Sequence, residues 1–139
     1  MNYVDKDSTR LMLLFLSDPA RLLLQHATQL HCHVTCDVTT APFRQIIVVF
    51  AQSTNQSRPL PCMFGLLPDQ EAETYARAMS VVKELVDFTP MNSLRIFLDF
   101  EQRTLWNVLC ESFPWAKVIS LRLSKKLCTF ITIIELSFL

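Results

Sequence analysis

Phe43-Arg44-Gln45-Ile46-Ile47-Val48-Val49-Phe50-Ala51 is the stretch that decides how this chain is read. Ile46 to Phe50 are five consecutive β-branched or aromatic residues, the types that fit a pleated, buried surface. The run is too short for a typical helix and is bounded by Pro42 and by the polar stretch Gln52 to Arg58, so it reads as a buried strand. The polar stretch is a turn, and Leu60 to Leu67 makes the following strand. Upstream, His31 to Thr39 is rich in β-formers, with Val34, Thr35, Val38 and Thr39. Side chains in a strand alternate faces, so His33, Thr35 and Asp37 are expected on one side and Cys32, Val34 and Cys36 on the other. Two short connections between three such runs predict an antiparallel meander.

Helices flank this meander. Ser17-Asp18-Pro19 is a helix start, with a capping side chain followed by proline in the first turn. The first ten residues are expected to be polar and loose, and the helix to run to about Gln29, with Leu22, Leu23, His26 and Leu30 on one stripe. Beyond the meander, Pro68-Asp69-Gln70-Glu71 opens a helix with acids in its first turn. Tyr75, Met79, Val82, Leu85 and Val86 recur at helical spacing up to about Phe88. Leu94 to Leu98 is a short strand ending in Asp99, Glu101 to Glu111 a helix with Leu105, Trp106 and Leu109 inward, and Ala116 to Leu121 a last strand.

The order helix, β, β, β, helix, β, helix, β resembles, after its leading helix, the ribonuclease H-like arrangement. That predicts an α+β fold, a mixed five-stranded sheet with packed helices, C-terminally incomplete for want of the final helix. Three parts follow: an N-terminal segment and helix over 1–30, a partial ribonuclease H-like domain over 31–121, and a divergent apolar tail over 122–139. A chain of 139 residues suits one such core.

Composition excludes several functions. Gly65 is the only glycine, so phosphate-cradling loops, which need several at fixed offsets, are ruled out. Thirteen basic residues balance thirteen acidic ones, whereas a free-standing DNA-binding domain usually carries a basic excess. Nucleic-acid binding must therefore rest on a local patch. The five cysteines are scattered and odd in number, and Leu11 to Leu16 is too short for a secretion signal, so reduced thiols in an intracellular setting are expected. Leu127 to Leu139 is apolar but holds Glu135 and falls short of the roughly 20 residues that span a bilayer, so no membrane partner is expected.

Asp37 near the end of the first meander strand and Asp99 at the end of the fourth strand are the telling acids. In this topology those two strands are neighbours. Paired carboxylates repel each other and favour a hard divalent cation. Two such ions about 4 Å apart activate an attacking oxygen and stabilise a leaving one in phosphodiester chemistry. On spacing alone, both acids can equally be ordinary strand-ending aspartates.

The motifs add a resemblance. Cys36-Asp37-Val38-Thr39 resembles the Asp-Gly-Thr-Phe that opens the Mutator-like (MULE) transposase domain. Phe43-Arg44-Gln45-Ile46 is similar to the family's Phe-x-Gln-Leu, and Pro59 to Pro68 to its Val-Pro-Leu-x-x-x-Leu-Leu. Glu73-Thr74-Tyr75 matches a helix motif, Leu98-Asp99-Phe100-Glu101 the Thr-Asp-Phe-Glu motif, and Phe113-Pro114 the Phe-Pro one helix later. The resemblance covers roughly Asp37 to Val118. It implies that Asp37 and Asp99 are the first two acids of an Asp-Asp-Glu triad, both catalytic and metal-ligating, with Mg²⁺ or Mn²⁺ as cofactor, DNA as partner and a nuclear location.

The sequence also departs from the pattern. Val38 and Thr40 stand where the family has glycine and phenylalanine, and Ser120-Leu121-Arg122-Leu123-Ser124 stands where it has a Cys-x-x-His element. Glu135 is the only late carboxylate, and no motif marks it as the third acid. The expectation is a relic or truncated copy of a DNA transposase, inactive alone; the alternative is a domesticated, non-catalytic module that binds DNA or a protein.

Other signals have blander readings. His31-Cys32-His33-x-x-Cys36 holds four zinc-ligand types, but alternation sends histidines and cysteines to opposite faces. No elbow or orienting group supports a Cys/His nucleophile. Trp106, Trp115 and the phenylalanines are expected in the core, and Arg122, Lys125 and Lys126 on a solvated face.

Overall fold

The β-branched runs and the helical periodicities assemble into one mixed sheet with helices packed on it, as a computed structural model shows. It describes residues 2–5, 11–35, 42–54, 56–88, 93–99 and 102–121, with only the backbone described for 2–5, 99 and 121. The strands are β1 (Asn2–Asp5), β2 (Met12–Leu16), β3 (Gln29–Thr35), β4 (Gln45–Gln52), β5 (Leu60–Leu67), β6 (Arg95–Asp99) and β7 (Lys117–Leu121). The helices are α1 (Asp18–Gln25), α2 (Ala72–Leu85) and α3 (Arg103–Ser112).

The seven strands lie in the order β1-β2-β5-β4-β3-β6-β7. β3, β4 and β5 form the expected antiparallel meander. β6 then runs parallel to β3, and β7 parallel to β6. The α+β class and mixed sheet are as expected, but the five-strand count is corrected to seven. Residues 2–5, expected to be loose, pair antiparallel with Met12 to Phe15, and β2 in turn extends the sheet beyond β5. Six apolar residues in a row do not reveal a strand until a partner edge exists, and that edge is β5.

α1 starts as expected: the Ser17 hydroxyl accepts the Ala20 backbone N–H at 3.2 Å, with Pro19 in the first turn. Its end and its inner stripe differ. The helix stops at Gln25, because the chain must turn at Ala27 and Thr28 into β3. Ala20 and Leu24 face the core, while Leu22 is 56% exposed and His26 is also exposed. α2 begins at Ala72, later than the acidic opening predicted. Asp69 organises that entry, its Oδ1 accepting from the Thr74 hydroxyl at 2.6 Å and from the Glu71 N–H at 3.0 Å.

The larger of two apolar clusters among the described residues holds this together. Leu30, Cys32 and Val34 of β3, Ile47 and Val49 of β4, and Ile96 and Leu98 of β6 form its floor. Ala20 and Leu24 of α1, Tyr75, Ala78, Met79 and Val82 of α2, and Leu105, Val108 and Leu109 of α3 form its roof. Phe113, 2% exposed, closes one end in edge-to-face contact with Phe88 and Trp115. Lys83 lies over the Trp115 ring at 5.5 Å. Both tryptophans pack against this core half-buried, which fits their reading as structural residues.

Gly65 sits where β5 is pressed between its two neighbours. A Cβ there would stand 2.7 Å from Ile47 Cγ2 and 2.9 Å from Leu14 Cδ2. The single glycine thus serves close packing of side chains across the sheet and no phosphate loop.

Candidate metal site

The strand pair expected to carry the two acids is built as the topology requires. β3 and β6 are hydrogen-bonded neighbours running in the same direction, with Gln29 opposite Arg95 and Cys32 opposite Leu98. Their C-terminal ends therefore open on the same edge of the sheet. Asp99 is the last residue of β6, in register with Leu121 of β7. Asp37 and the side chain of Asp99 lie outside the described residues, as do Cys36, Glu135, Arg122, Lys125 and Lys126. Among the described residues, no group of three or more histidine, cysteine, aspartate or glutamate side chains could hold a metal ion.

β6 is held by its alternation. Ile96 and Leu98 are buried in the helix-covered core, while Phe97 points to the other side and stacks on His31 of β3, ring centroids 4.9 Å apart at 20°. Burial holds the His31 imidazole below its ordinary pKa of 6.5, since desolvation penalises the charged ring. Its Nε2 is buried and has no hydrogen-bond partner among the described residues. The same ring is thus a neutral spacer between strands.

Alternation also separates the zinc-ligand types as expected. Cys32 is 5% exposed in the helix-covered core, and His31 and His33 are half-buried, alternating with it along β3. Cys62 is a buried thiol pushed up to about 11 by desolvation, which leaves it protonated and without nucleophilic character near neutrality.

A buried polar pair was not foreseen. Gln45, at 0% exposure, opens β4, and its Oε1 accepts the Tyr75 hydroxyl of α2 at 2.7 Å. Gln45 Nε2 has no hydrogen-bond partner among the described residues. The signal in the sequence was a glutamine heading an apolar run and a tyrosine on a helical stripe, thirty residues apart. Only the fold reveals that they meet.

None of the family models, curated proteins or solved structures compared with this chain matches it. No described helix is long and apolar enough to cross a membrane.

Proposed function

We propose that this chain descends from a MULE-type DNA transposase domain with a ribonuclease H-like core, and that Asp37 and Asp99 are the remains of its metal site. The observation that carries the reading is the parallel β3–β6 pair. Asp99 ends β6, and Asp37 follows the last residue of β3 by two positions in sequence. The antiparallel β3–β4–β5 meander with β6 and β7 added parallel on the β3 side is the strand arrangement that reading requires.

Support of a second kind comes from Gln45 and Tyr75. They belong to two different motifs of the resemblance, Phe-x-Gln and Glu-x-Tyr, and they share a buried hydrogen bond. Phe113, of the Phe-Pro motif, is likewise fully buried. Motif residues that are physically coupled in this way have a packing reason to occur together.

The donor set is two carboxylates, hard oxygen ligands suited to Mg²⁺ or Mn²⁺, and DNA is the partner this chemistry serves. Bound divalent ions would supply charge neutralisation at a phosphodiester. The role of this chain's own residues is to hold the two acids on adjacent strand ends. No motif position of these 139 residues corresponds to a third acid, and two carboxylates alone would leave a metal site one ligand and one charge short of what phosphoryl transfer needs. Weak Mn²⁺ binding without strand cleavage is the expected behaviour.

Titrating Mn²⁺ into the full chain while following water proton relaxation tests this. Binding should be weak and should disappear in both Asp37→Asn and Asp99→Asn, with no nicking of supercoiled plasmid. Binding that survives both changes would sink the metal-site assignment. Salt-sensitive DNA binding indifferent to both changes would point to a non-catalytic binding module instead.

A further inference from the structure

On the second face of the sheet, opposite the helix-covered core, two positive charges stand side by side. Gln52 of β4 lies opposite Gln29 of β3, Gln29 opposite Arg95 of β6, and Arg95 opposite Lys117 of β7. Leu94, Ile96 and Leu98 are buried in the helix-covered core, and Ala116 and Val118 pack against it. Alternation therefore puts Arg95 and Lys117 on the second face, where both side chains are exposed. Neighbouring strands run roughly 4.8 Å apart, and like charges directly opposite each other destabilise a sheet. The row holds no carboxylate to offset them, and neither side chain makes a hydrogen bond or ion pair among the described residues. The β4–β5 turn at the same end, residues 52–60, adds the exposed Arg58 and holds no acid.

We propose that Arg95 and Lys117 contact the phosphate backbone of a nucleic acid, the identity of the polymer resting on the transposase reading above. Thirteen basic residues against thirteen acidic ones leave the chain no overall attraction for a polyanion. Affinity has to come from cations that are grouped locally and left unpaired, and this pair meets both conditions. Its open setting favours a polymer over a small anion. Exposed side chains cannot strip an isolated phosphate of its water, whereas each contact to a nucleic acid releases condensed counterions. Gln29, half-buried and next in the row, adds an amide able to donate to a phosphate oxygen. β6 also links the row to the candidate metal site. Arg95 opens the strand and Asp99 ends it, roughly 13 Å further on, or about four base-pair steps of a duplex. The repulsion between Arg95 and Lys117 costs stability in the free chain and is relieved when phosphate lies over them.

Fluorescence anisotropy of a short labelled duplex DNA, titrated with the full chain over a series of salt concentrations, tests the assignment. In Arg95→Gln/Lys117→Gln the slope of log K against log salt should become shallower by about 2, at roughly 0.9 per lost phosphate contact. Tm should stay level or rise, because the change removes a repulsion and no contact. Arg103→Gln, an exposed cation at the start of α3, is the control and should leave the slope unchanged. Three results overturn the proposal: a parent chain that does not bind DNA at low salt, an unaltered slope in the double variant, or an equal loss per charge in Arg103→Gln. Binding of a heparin fragment without binding of DNA overturns the nucleic-acid assignment. Mn²⁺ binding, measured on the same double variant, should persist, since neither residue is a ligand. Loss of the DNA contact alone thus strikes this pair, and loss of Mn²⁺ binding alone strikes the metal-site reading.

Discussion

Ile46 and Ile47 are adjacent residues with the same side chain, and they lie in different layers of the molecule. Ile47, at 0% exposure, is packed under the helices. Ile46, at 4%, belongs to the smaller cluster on the far side of the sheet. The first layer is assembled from elements whose periodicity is plain in the sequence: α2 with Tyr75, Ala78, Met79 and Val82, and α3 with Leu105, Val108 and Leu109. The second has no such helix among the described residues. A strand that is apolar at every position announces that both its faces are buried, yet it is silent on what buries them.

The isoleucine pair gives the largest expected effect and the sharpest test of that contrast. Ile47→Ala should cost about 3–4 kcal/mol by urea denaturation, because a full core side chain is lost and the cavity cannot collapse. Ile46→Ala should cost about 2–3 kcal/mol if its face is truly covered. A cost for Ile46→Ala near zero would break the symmetry and show that face to be open to water.

The polar pair at the entrance of β4 comes next. Tyr75→Phe removes the donor to Gln45 Oε1 and leaves a fully buried amide with no partner among the described residues, at a cost of about 2 kcal/mol. Adding Gln45→Leu to Tyr75→Phe should recover part of that loss, since the amide no longer needs a partner. Strictly additive effects in the double-mutant cycle would mean that the two side chains are not coupled.

His31 on the second face should give the smallest effect, with a defined sign. Its folded pKa lies below 6.5, so the unfolded chain takes up the proton first. Its contribution to stability is therefore present above pH 6.5 and lost as pH falls through the folded value. In His31→Phe the difference in stability between pH 7 and pH 5 should shrink relative to the parent chain. An identical pH profile would show that His31 is solvated in both states.

The legible part of this fold is the part written in short-range pattern. β5 was read with its observed ends, and β4, β6 and β7 within about two residues, because apolar β-branched runs bounded by proline and polar turns have few alternatives. The neighbouring positions of β3 and β6, which the candidate site depends on, followed from element order. The inner stripe of α1 did not. Leu22 and His26 had the right spacing, but the short helix packs over β5 and β4 through Ala20 and Leu24. Several rotations of an eight-residue helix satisfy spacing equally, and the surface beneath it selects one. For the site, the sequence pointed to Asp37 and Asp99 by motif. The hydrogen bond between Gln45 and Tyr75 was beyond its reach, because neither residue carries a local signal for the other.

Local propensity and periodicity determined where most of the strands and helices form, and that the cysteines and histidines of β3 part company. Tertiary structure alone decided that Asn2–Asp5 and Met12–Leu16 extend the sheet to seven strands, that Gly65 must stay small between Ile47 and Leu14, and that Gln45 finds Tyr75. The physical reason is the same each time. Backbone preference and capping act over a few neighbouring residues, whereas edge pairing, close approach and buried hydrogen bonds are satisfied by partners tens of residues away that only a folded chain brings together.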